Sequence, residues 1–341
     1  MTLKINPFHQ LVWRTPHSLQ IGIGEGAVVF ENVTRPEEKL IDALYYGIPE
    51  GKLGSLGKLL KLDTGAEEKI VTRLEKLVVS ESGIPQANFA AADLARASFG
   101  NQVSANLAFA RRGLVAVQIQ TMDATGLALA LALAASGVGH ILTPDQERVS
   151  ESDCATNLYP RALLGYRRFQ AAKLILDSSW PGARIHPTAR VAKSVPKPLL
   201  AVITSQQVTD PNEAGRWLAA EVPMLEIRYE VEAVQISPIL DGTDGCLNCQ
   251  THWLQESDPT HTAVAAQLLE SGMRFDDSAT RLIGCGFALR SILQYIDGLP
   301  RGDQALRISA SSRQEQHSFK WVAHPACACQ LRKQLHLDVA V

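Results

Sequence analysis

The sequence Leu114-Val-Ala-Val-Gln-Ile-Gln120 is followed by Thr121-Met-Asp-Ala-Thr125 and then by Gly126-Leu-Ala-Leu-Ala-Leu-Ala-Leu-Ala-Ala-Ser-Gly137. The first segment is a short apolar run with β-branched residues and predicts a buried strand. The third consists of strong helix formers with almost no polar face, which predicts a helix buried against a sheet. Val138-Gly-His-Ile-Leu142 predicts a second strand that ends near Asp145. This order indicates a βαβ unit of a doubly wound α/β fold.

The composition excludes several classes of protein. The 341 residues suffice for one large α/β domain and a smaller one, and 46% hydrophobic with 20% charged residues is ordinary for a globular chain. A net charge of −2 provides no general attraction to nucleic acid or anionic lipid. No apolar run reaches the roughly 18 residues that a membrane helix needs, and the first residues lack a signal core. We expect a cytoplasmic protein with no membrane and no nucleic-acid partner.

Residues 1–80 predict a separate α+β module. Ser18–Ile23 and Ala27–Val33 indicate a hairpin joined by a glycine-rich turn. Thr34 is placed to cap a helix that begins with a proline and two acids, and helices near Leu53–Leu60 and Ala66–Val79 follow. Strands with three short helices indicate a winged-helix-like module.

The charge of this module favours a peptide or protein partner. Residues 1–80 carry ten Lys or Arg and ten Asp or Glu, whereas a DNA reader normally shows a basic face. We expect binding by strand addition at the exposed edge of the hairpin, beside a helical groove. The alternative is that the module docks only against the main domain or a second subunit. Residues 81–112 predict a linker with one helix, Ala87–Ala97, before a domain at 113–341.

The rest of the larger domain predicts a sheet of mixed direction. Leu199–Thr204 and Met224–Arg228 indicate buried strands, and the alternation in Glu230–Ser237 suits an antiparallel strand. Helices are predicted at the segments 212–221, 261–269 and 279–296.

The cysteines carry the most specific chemistry. Cys246-x-x-Cys249 and Cys327-x-Cys329 form two close pairs about 80 residues apart. Four thiolates suit tetrahedral zinc and leave no open position, so this would be a structural zinc site that clips the C-terminal segment to the sheet. A reducing cytoplasm disfavours disulfides, and unmetallated thiols are the alternative. Cys285 is expected to be a buried packing residue and Cys154 an unreactive loop thiol.

The order of motifs resembles the ThiF/MoeB family, the fold of ubiquitin-like modifier-activating enzymes. The resemblance rests on Gly126-Leu, Ala134-Ala-Ser-Gly-Val-Gly139, Asp145, Ser152-Asp153 and Gly165-Tyr-Arg-Arg-Phe-Gln-Ala-Ala172 and, with the four cysteines, covers about residues 114–330. Leu11-Val-Trp-Arg14 and His324-Pro-Ala-Cys327 are similar to a ThiF-like subgroup that binds leader peptides in thiazole/oxazole-modified microcin biosynthesis. The resemblance implies a Rossmann-like doubly wound mixed sheet and a homodimer built by late helices.

The resemblance also implies a site for ATP and Mg²⁺, but the residues there do not fit it well. A glycine-rich turn lets phosphates approach backbone N–H groups, whereas Thr121–Gly126 keeps one glycine and adds Met122 and Asp123. Cys154-Ala-Thr156 replaces the expected Arg, and Ile203–Val208 contains no carboxylate for the metal. Arg168 replaces a lysine and could still contact an anion. Since phosphoryl transfer depends on charge neutralisation, we expect a catalytically degenerate member without catalytic residues.

Four residues are therefore candidates for a nucleotide pocket: Asp123, Gly126, Asp145 and Arg168. Asp145 stands where the family meets a ribose, and its alternative role is to cap the loop. Three functions remain. The first is a scaffold that presents a peptide or small protein to a partner enzyme. The second is an active ATP-dependent adenylating enzyme, and the third is a nicotinamide-dependent oxidoreductase, against which the missing glycines argue.

Overall fold

The computed structural model describes residues 2–81, 92–93, 105–180, 182–190, 192–310 and 315–330. These residues divide into two compact units, one ending at Arg111 and the other beginning at Arg112. The expected linker helix Ala87–Ala97 lies outside the described residues, apart from residues 92 and 93. Within the described ranges, no helix combines the length and hydropathy that crossing a bilayer requires.

The first unit contains two three-stranded antiparallel sheets and short helices. One sheet has the order β2-β3-β4 and the other β5-β1-β6. The elements are β1 (Thr2–Ile5), β2 (Leu11–Thr15), β3 (Ser18–Ile21), β4 (Val28–Phe30), α1 (Arg35–Tyr46), β5 (Ile48–Pro49), α2 (Leu53–Leu59), α3 (Ala66–Arg73), β6 (Val78–Glu81) and α4 (Ala105–Arg112).

The hairpin and the three helices predicted in residues 1–80 are confirmed. Thr34 forms a capping box with Glu37 at the start of α1, as its position in the sequence indicated. The third helix ends at Arg73 rather than at Val79, because residues 78–81 pair with β1 instead. A core of apolar side chains from both sheets and α1 holds the unit together, and it includes Ile5, Leu19, Ile21, Leu40, Leu44 and Leu74.

The second unit is built on one eight-stranded mixed sheet. Its order is β14-β13-β12-β11-β10-β7-β8-β9. The five neighbouring strands β11, β10, β7, β8 and β9 pair in parallel, whereas β12, β13 and β14 add to the β11 side by antiparallel pairing. The strands are β7 (Ala116–Ile119), β8 (His140–Thr143), β9 (Arg184–Pro187), β10 (Pro198–Gln206), β11 (Met224–Tyr229), β12 (Ala233–Ile236), β13 (Gln304–Ser309) and β14 (Gln316–Lys320). The helices are α5 (Ala124–Ala135), α6 (Glu151–Ala155), α7 (Arg168–Ser179), α8 (Pro211–Ala219), α9 (Leu247–Ser257), α10 (His261–Glu270) and α11 (Ser278–Ile296), with 3₁₀ turns at Arg161–Leu163 and Thr188–Arg190.

The predicted βαβ unit and the mixed sheet are confirmed, with small shifts at their ends. The helix α5 begins at Ala124 rather than at Gly126, because the side chain of Asp123 caps it by accepting a hydrogen bond from the Gly126 N–H. Its side chains pack with those of α7 and α11 in the main core, on one face of the sheet. A second core, which includes Ile203, Trp217 and Leu247, covers part of the other face beneath α8 and α9. Two layers of helices therefore enclose the sheet, and the parallel strands end at a common edge.

Candidate functional site

The turn after β7 lies at the carboxyl edge of the sheet and is held by its own backbone. The Met122 N–H donates to Asp145 Oδ2 at 2.7 Å, and the Met122 carbonyl accepts from the Tyr159 hydroxyl at 2.6 Å. The Met122 side chain is fully buried in the core. A further hydrogen bond of 2.7 Å joins the hydroxyls of Thr121 and Thr204 across to β10. The turn is thus fixed through both backbone polar groups of Met122.

Asp123 and Gly126 complete this turn. Asp123 Oδ1 accepts from the Gly126 N–H at 3.0 Å, and Asp123 Oδ2 accepts from Arg274 Nη2 at 2.7 Å. A Cβ atom on Gly126 would lie only 1.9 Å from the carbonyl oxygen of Thr121, so no larger residue fits. Gly126 is required by close packing of the helix start against the turn. Asp123 is a helix cap that also forms an ion pair.

Arg168 binds the carboxylate of Asp153 and approaches that of Asp145. Its Nε and Nη2 donate to Asp153 Oδ2 at 3.0 and 2.9 Å, and its Nη1 lies 3.6 Å from Asp145 Oδ2. The same Asp153 oxygen accepts from the N–H and the hydroxyl of Ser150, which places it in a capping box at the start of α6. Burial lowers the pKa of Arg168, but Asp153 and Asp145 raise it by more, so this guanidinium stays charged. Burial and Asp153 raise the pKa of Tyr159, which keeps its hydroxyl a donor.

Asp276 is the centre of a second group of charges beside the turn. Arg274 donates to its two carboxylate oxygens at 2.9 and 2.8 Å, and Arg281 contacts the same carboxylate at 3.3 Å. Thr125 donates to it at 2.9 Å and Gln206, at the end of β10, at 3.4 Å. Burial alone would raise the pKa of Asp276, but the hydrogen bond and charge of Arg274 lower it below its usual value.

A cavity of about 440 Å³ opens between these groups and α6. Around the cavity and the adjoining turn, four aspartates and three arginines form a network in which each arginine contacts at least one carboxylate. The cavity is lined by Ala124, Ser152, Asp153, Thr156, Val231, Arg274, Phe275, Asp276, Asp277, Arg281 and Ala310. The N–H groups of Met122 and Gly126 donate to carboxylates. In a phosphate site, such N–H groups would donate to phosphate oxygens instead.

The four paired cysteines come together away from this edge. Cys246, Cys249, Cys327 and Cys329 are all buried, and their sulfur atoms lie within 4.8 Å of one another. Three of the sulfur pairs are 3.9, 3.5 and 3.4 Å apart. Four ligands around zinc at about 2.3 Å would place sulfurs about 3.8 Å apart, so the donor set and its dimensions fit that ion. The Trp321 Nε1–H donates to the Cys246 carbonyl at 3.2 Å and fixes the loop that carries the first pair.

The other two cysteines are buried, and each sulfur lies near a backbone carbonyl. Cys285 lies in α11, where burial raises the pKa of its thiol to about 12, as suits a packing residue. Cys154 lies in α6 with its sulfur 4.0 Å from the Pro160 carbonyl. A raised pKa makes Cys285 a poor nucleophile.

Comparison with solved structures identifies proteins of the same fold. A crystal structure of E. coli MccB with ATP matches 96% of this chain and 99% of its own, with a TM-score of 0.71 and 14% sequence identity. The chain has the MccB fold. The ThiF-type fold that the sequence motifs predicted is thereby confirmed. The microcin C7 biosynthetic enzyme MccB in complex with N-formylated MccA matches with a TM-score of 0.69. PaaA matches 74% of the chain and 91% of its own, with a TM-score of 0.56 and 15% identity.

No protein-family model matches the sequence, and no curated protein matches it either. At this low identity the likeness to MccB shows the architecture, while the roles of individual side chains must come from the contacts above.

The four sequence candidates lie together, and three charged neighbours that the sequence did not indicate lie beside them. Asp123, Asp145 and Arg168 surround the turn, and Gly126 lies beneath it. Arg274, Asp276 and Arg281 come from the segment before α11 and its first turns. The charged run Arg274-Phe-Asp-Asp277 just before an apolar helix was the available signal. It places the Asp276 carboxylate 3.4 Å from the side chain of Gln206, at the end of β10.

Replacing Arg168 by Met should lower the free energy of unfolding by about 3 kcal/mol, because the buried carboxylate of Asp153 would lose its counter-ion. Urea unfolding followed by circular dichroism measures this change. Arg161→Met is the matched control, since Arg161 pairs with Glu151 in solvent and its loss should cost no more than about 0.5 kcal/mol. Equal effects of the two substitutions would show that the Arg168 pair is not a buried constraint.

Proposed function

We propose that this protein is a catalytically degenerate ThiF-like scaffold that binds a peptide or small protein and presents it to a partner enzyme. The proposal that the protein is catalytically degenerate rests on the turn after β7. Its Met122 and Gly126 N–H groups are hydrogen-bonded to Asp145 and Asp123, so the anion-binding end of α5 already holds two carboxylates. A bound triphosphate would have to displace both.

The charges around the turn support the same conclusion. Asp123, Asp145, Asp153 and Asp276 provide four negative charges, and Arg168, Arg274 and Arg281 provide three positive ones. A triphosphate entering this network adds several negative charges to a set that is already negative by one. ATP with Mg²⁺ does not fit these residues, because the arginines that could neutralise phosphate are engaged by aspartates.

Purified protein should neither bind ATP with Mg²⁺ in calorimetry nor catalyse exchange of pyrophosphate into ATP. MccB, which has been crystallised with ATP, is the positive control for nucleotide binding under the same conditions. Saturable ATP binding together with exchange that depends on an added peptide carboxylate would establish the alternative, an active adenylating enzyme.

The peptide part of the proposal rests on the first unit and on the fold. MccB has been solved with MccA and with N-formylated MccA, which shows that the fold accommodates a peptide in that protein. In this chain β4 is an edge strand, and Arg73 of α3 donates to the Val29 carbonyl and lies over the Phe30 ring. That carbonyl therefore points away from β3 toward α3. The winged-helix-like module would bind an extended peptide along this edge, as a further strand beside α3.

The backbone geometry allows a selective block of this edge. In an antiparallel pair the N–H and carbonyl of one residue point to the same side, so the Val29 N–H also faces away from β3. Val29→Pro should remove an outward donor while leaving the β3–β4 ladder intact. Peptides selected from a phage-displayed random library on the wild-type protein should bind this variant at least about tenfold more weakly.

Trp13→Pro is the matched control, because it blocks the opposite edge of the same sheet at β2. Peptides should bind this variant as they bind the wild type. Equal capture by the Val29 variant would place the peptide elsewhere, and failure to select any peptide would contradict peptide binding altogether.

We also propose that the four cysteines hold a structural zinc ion, which would join the loop before α9 to the segment after β14. All four ligands come from the protein, so the ion would have no open position and no catalytic role. Cys249 accepts a hydrogen bond from the Cys246 N–H at 3.4 Å, and the Gln330 side chain donates to Cys329 at 3.2 Å. Such donors stabilise thiolate ligands.

Mass spectrometry should detect close to a single zinc ion per chain, and Cys327→Ser should abolish it and lower the melting temperature. Cys285→Ser is the control because Cys285 is equally buried but remote from the cluster, so its zinc content should not change. Purified protein that is folded but free of metal, with intact thiols, would contradict the zinc assignment.

The homodimer implied by the sequence resemblance stays a prediction. Leu282, Ile283 and Phe287 on α11 are exposed to 68%, 37% and 41% and are the apolar side chains that such an interface could bury. Sedimentation velocity distinguishes a dimer from a monomer.

A further inference from the structure

A second large cavity lies on the opposite face of the sheet from the charged one. It has a volume of about 380 Å³ and lies between the ends of β10 and β11 and the helices α9 and α10. Val208, Leu254 and Leu269 contribute apolar walls, and Arg228, Gln235 and Gln250 contribute a polar floor. This combination of apolar walls with a few fixed polar groups is typical of ligand sites, and the volume lies within their usual range.

The helix α10 has one face directed at this cavity. Thr262, Ala265, Ala266 and Leu269 line it and follow the spacing i, i+3, i+4, i+7, which places them on one side of the helix. That stripe is where a helix normally contacts the core, yet no residue of α10 is buried. The apolar sequence of α10 is therefore unusually exposed, and an occupant of the cavity would cover its inward face.

The floor of the cavity presents hydrogen-bond donors from buried side chains. Arg228 is 5% exposed and donates through Nε to Glu230 and through Nη1 to Thr209 and Gln250. Gln250 Oε1 also accepts from Gln235. Arg228 Nη2 and Gln250 Nε2 make no hydrogen bond to any residue that the structure describes. These N–H groups suit an acceptor on a ligand.

The charges around the floor favour a neutral acceptor. Arg228 lies near Glu226 and Glu230, and Arg307 donates to Glu230 at 3.1 and 2.7 Å. Two arginines and two glutamates balance, so the floor does not call for a carboxylate or phosphate. An amide carbonyl would accept from Arg228 without adding an uncompensated charge.

We propose that this cavity binds an apolar side chain of an extended peptide segment, whose backbone carbonyl accepts a hydrogen bond from Arg228. The inference deepens the proposed function, on which the choice of a peptide as the natural ligand rests. The second unit would thereby select for a residue such as leucine.

The test uses N-acetyl-leucinamide as the probe and observes the methyl groups of Leu254 and Leu269 by NMR. The probe should shift these signals saturably, whereas N-acetylglycinamide, which lacks the apolar side chain, should not. Ala265→Phe would fill the cavity from α10 and should weaken probe binding at least about tenfold. Ala263→Phe is the matched control, because Ala263 is exposed on the same helix and does not line the cavity.

Unchanged probe binding in the Ala265 variant, or no saturable shift in the wild type, would overturn the proposed site. Binding of N-acetyl-leucine at least about tenfold tighter than its amide would overturn the neutral acceptor. Melting temperatures of both variants identify a loss of folding. If the Ala265 variant does not fold, the contrast between the two probes on the wild-type protein still tests the site. Failure of the proposed function can be distinguished from failure of this site. In that case peptide selection would fail, while the probe would still shift the signals of the two leucines.

Discussion

The backbone of Met122 is the constraint on which the larger unit's site depends. A buried backbone N–H and carbonyl must find partners, and here Asp145 supplies the acceptor and Tyr159 the donor. In a nucleotide-binding turn the N–H groups would be left to the phosphates. Because the protein satisfies them itself, the turn can carry a large apolar side chain into the core, and the start of α5 needs no ligand for its order.

The arginines and aspartates around this turn connect segments that are distant along the chain. Arg274 and Asp123 are 151 residues apart, and Arg168 ties α7 to α6 through Asp153. Buried ion pairs of this kind contribute little net stability, since desolvation offsets most of the attraction, but losing one partner is costly. Their effect is to favour a single arrangement of the loops at the carboxyl edge. An added anion would have to compete with these carboxylates for the arginines.

The sequence predicted the features whose signals are local. The βαβ unit follows from apolar periodicity between Leu114 and Asp145, and the spacing of the four cysteines indicated a metal site whose thiols do come together. It did not predict that Asp276 would reach Gln206, because these residues are 70 positions apart and belong to different elements. Nor did it show that residues 78–81 leave the helical pattern, since their partner is β1 at the start of the chain. Pairing between distant segments decides both cases.

Arginines line both cavities of the larger unit, but their surroundings differ. At the charged cavity every guanidinium contacts a carboxylate, so a new ligand must compete with existing ion pairs. At the other cavity Arg228 is also paired with a carboxylate, but the surrounding wall is apolar. Removing water from an apolar wall is favourable, whereas separating a buried ion pair is not. The two cavities therefore differ in their walls: one is lined largely by ion-paired side chains and the other by apolar ones.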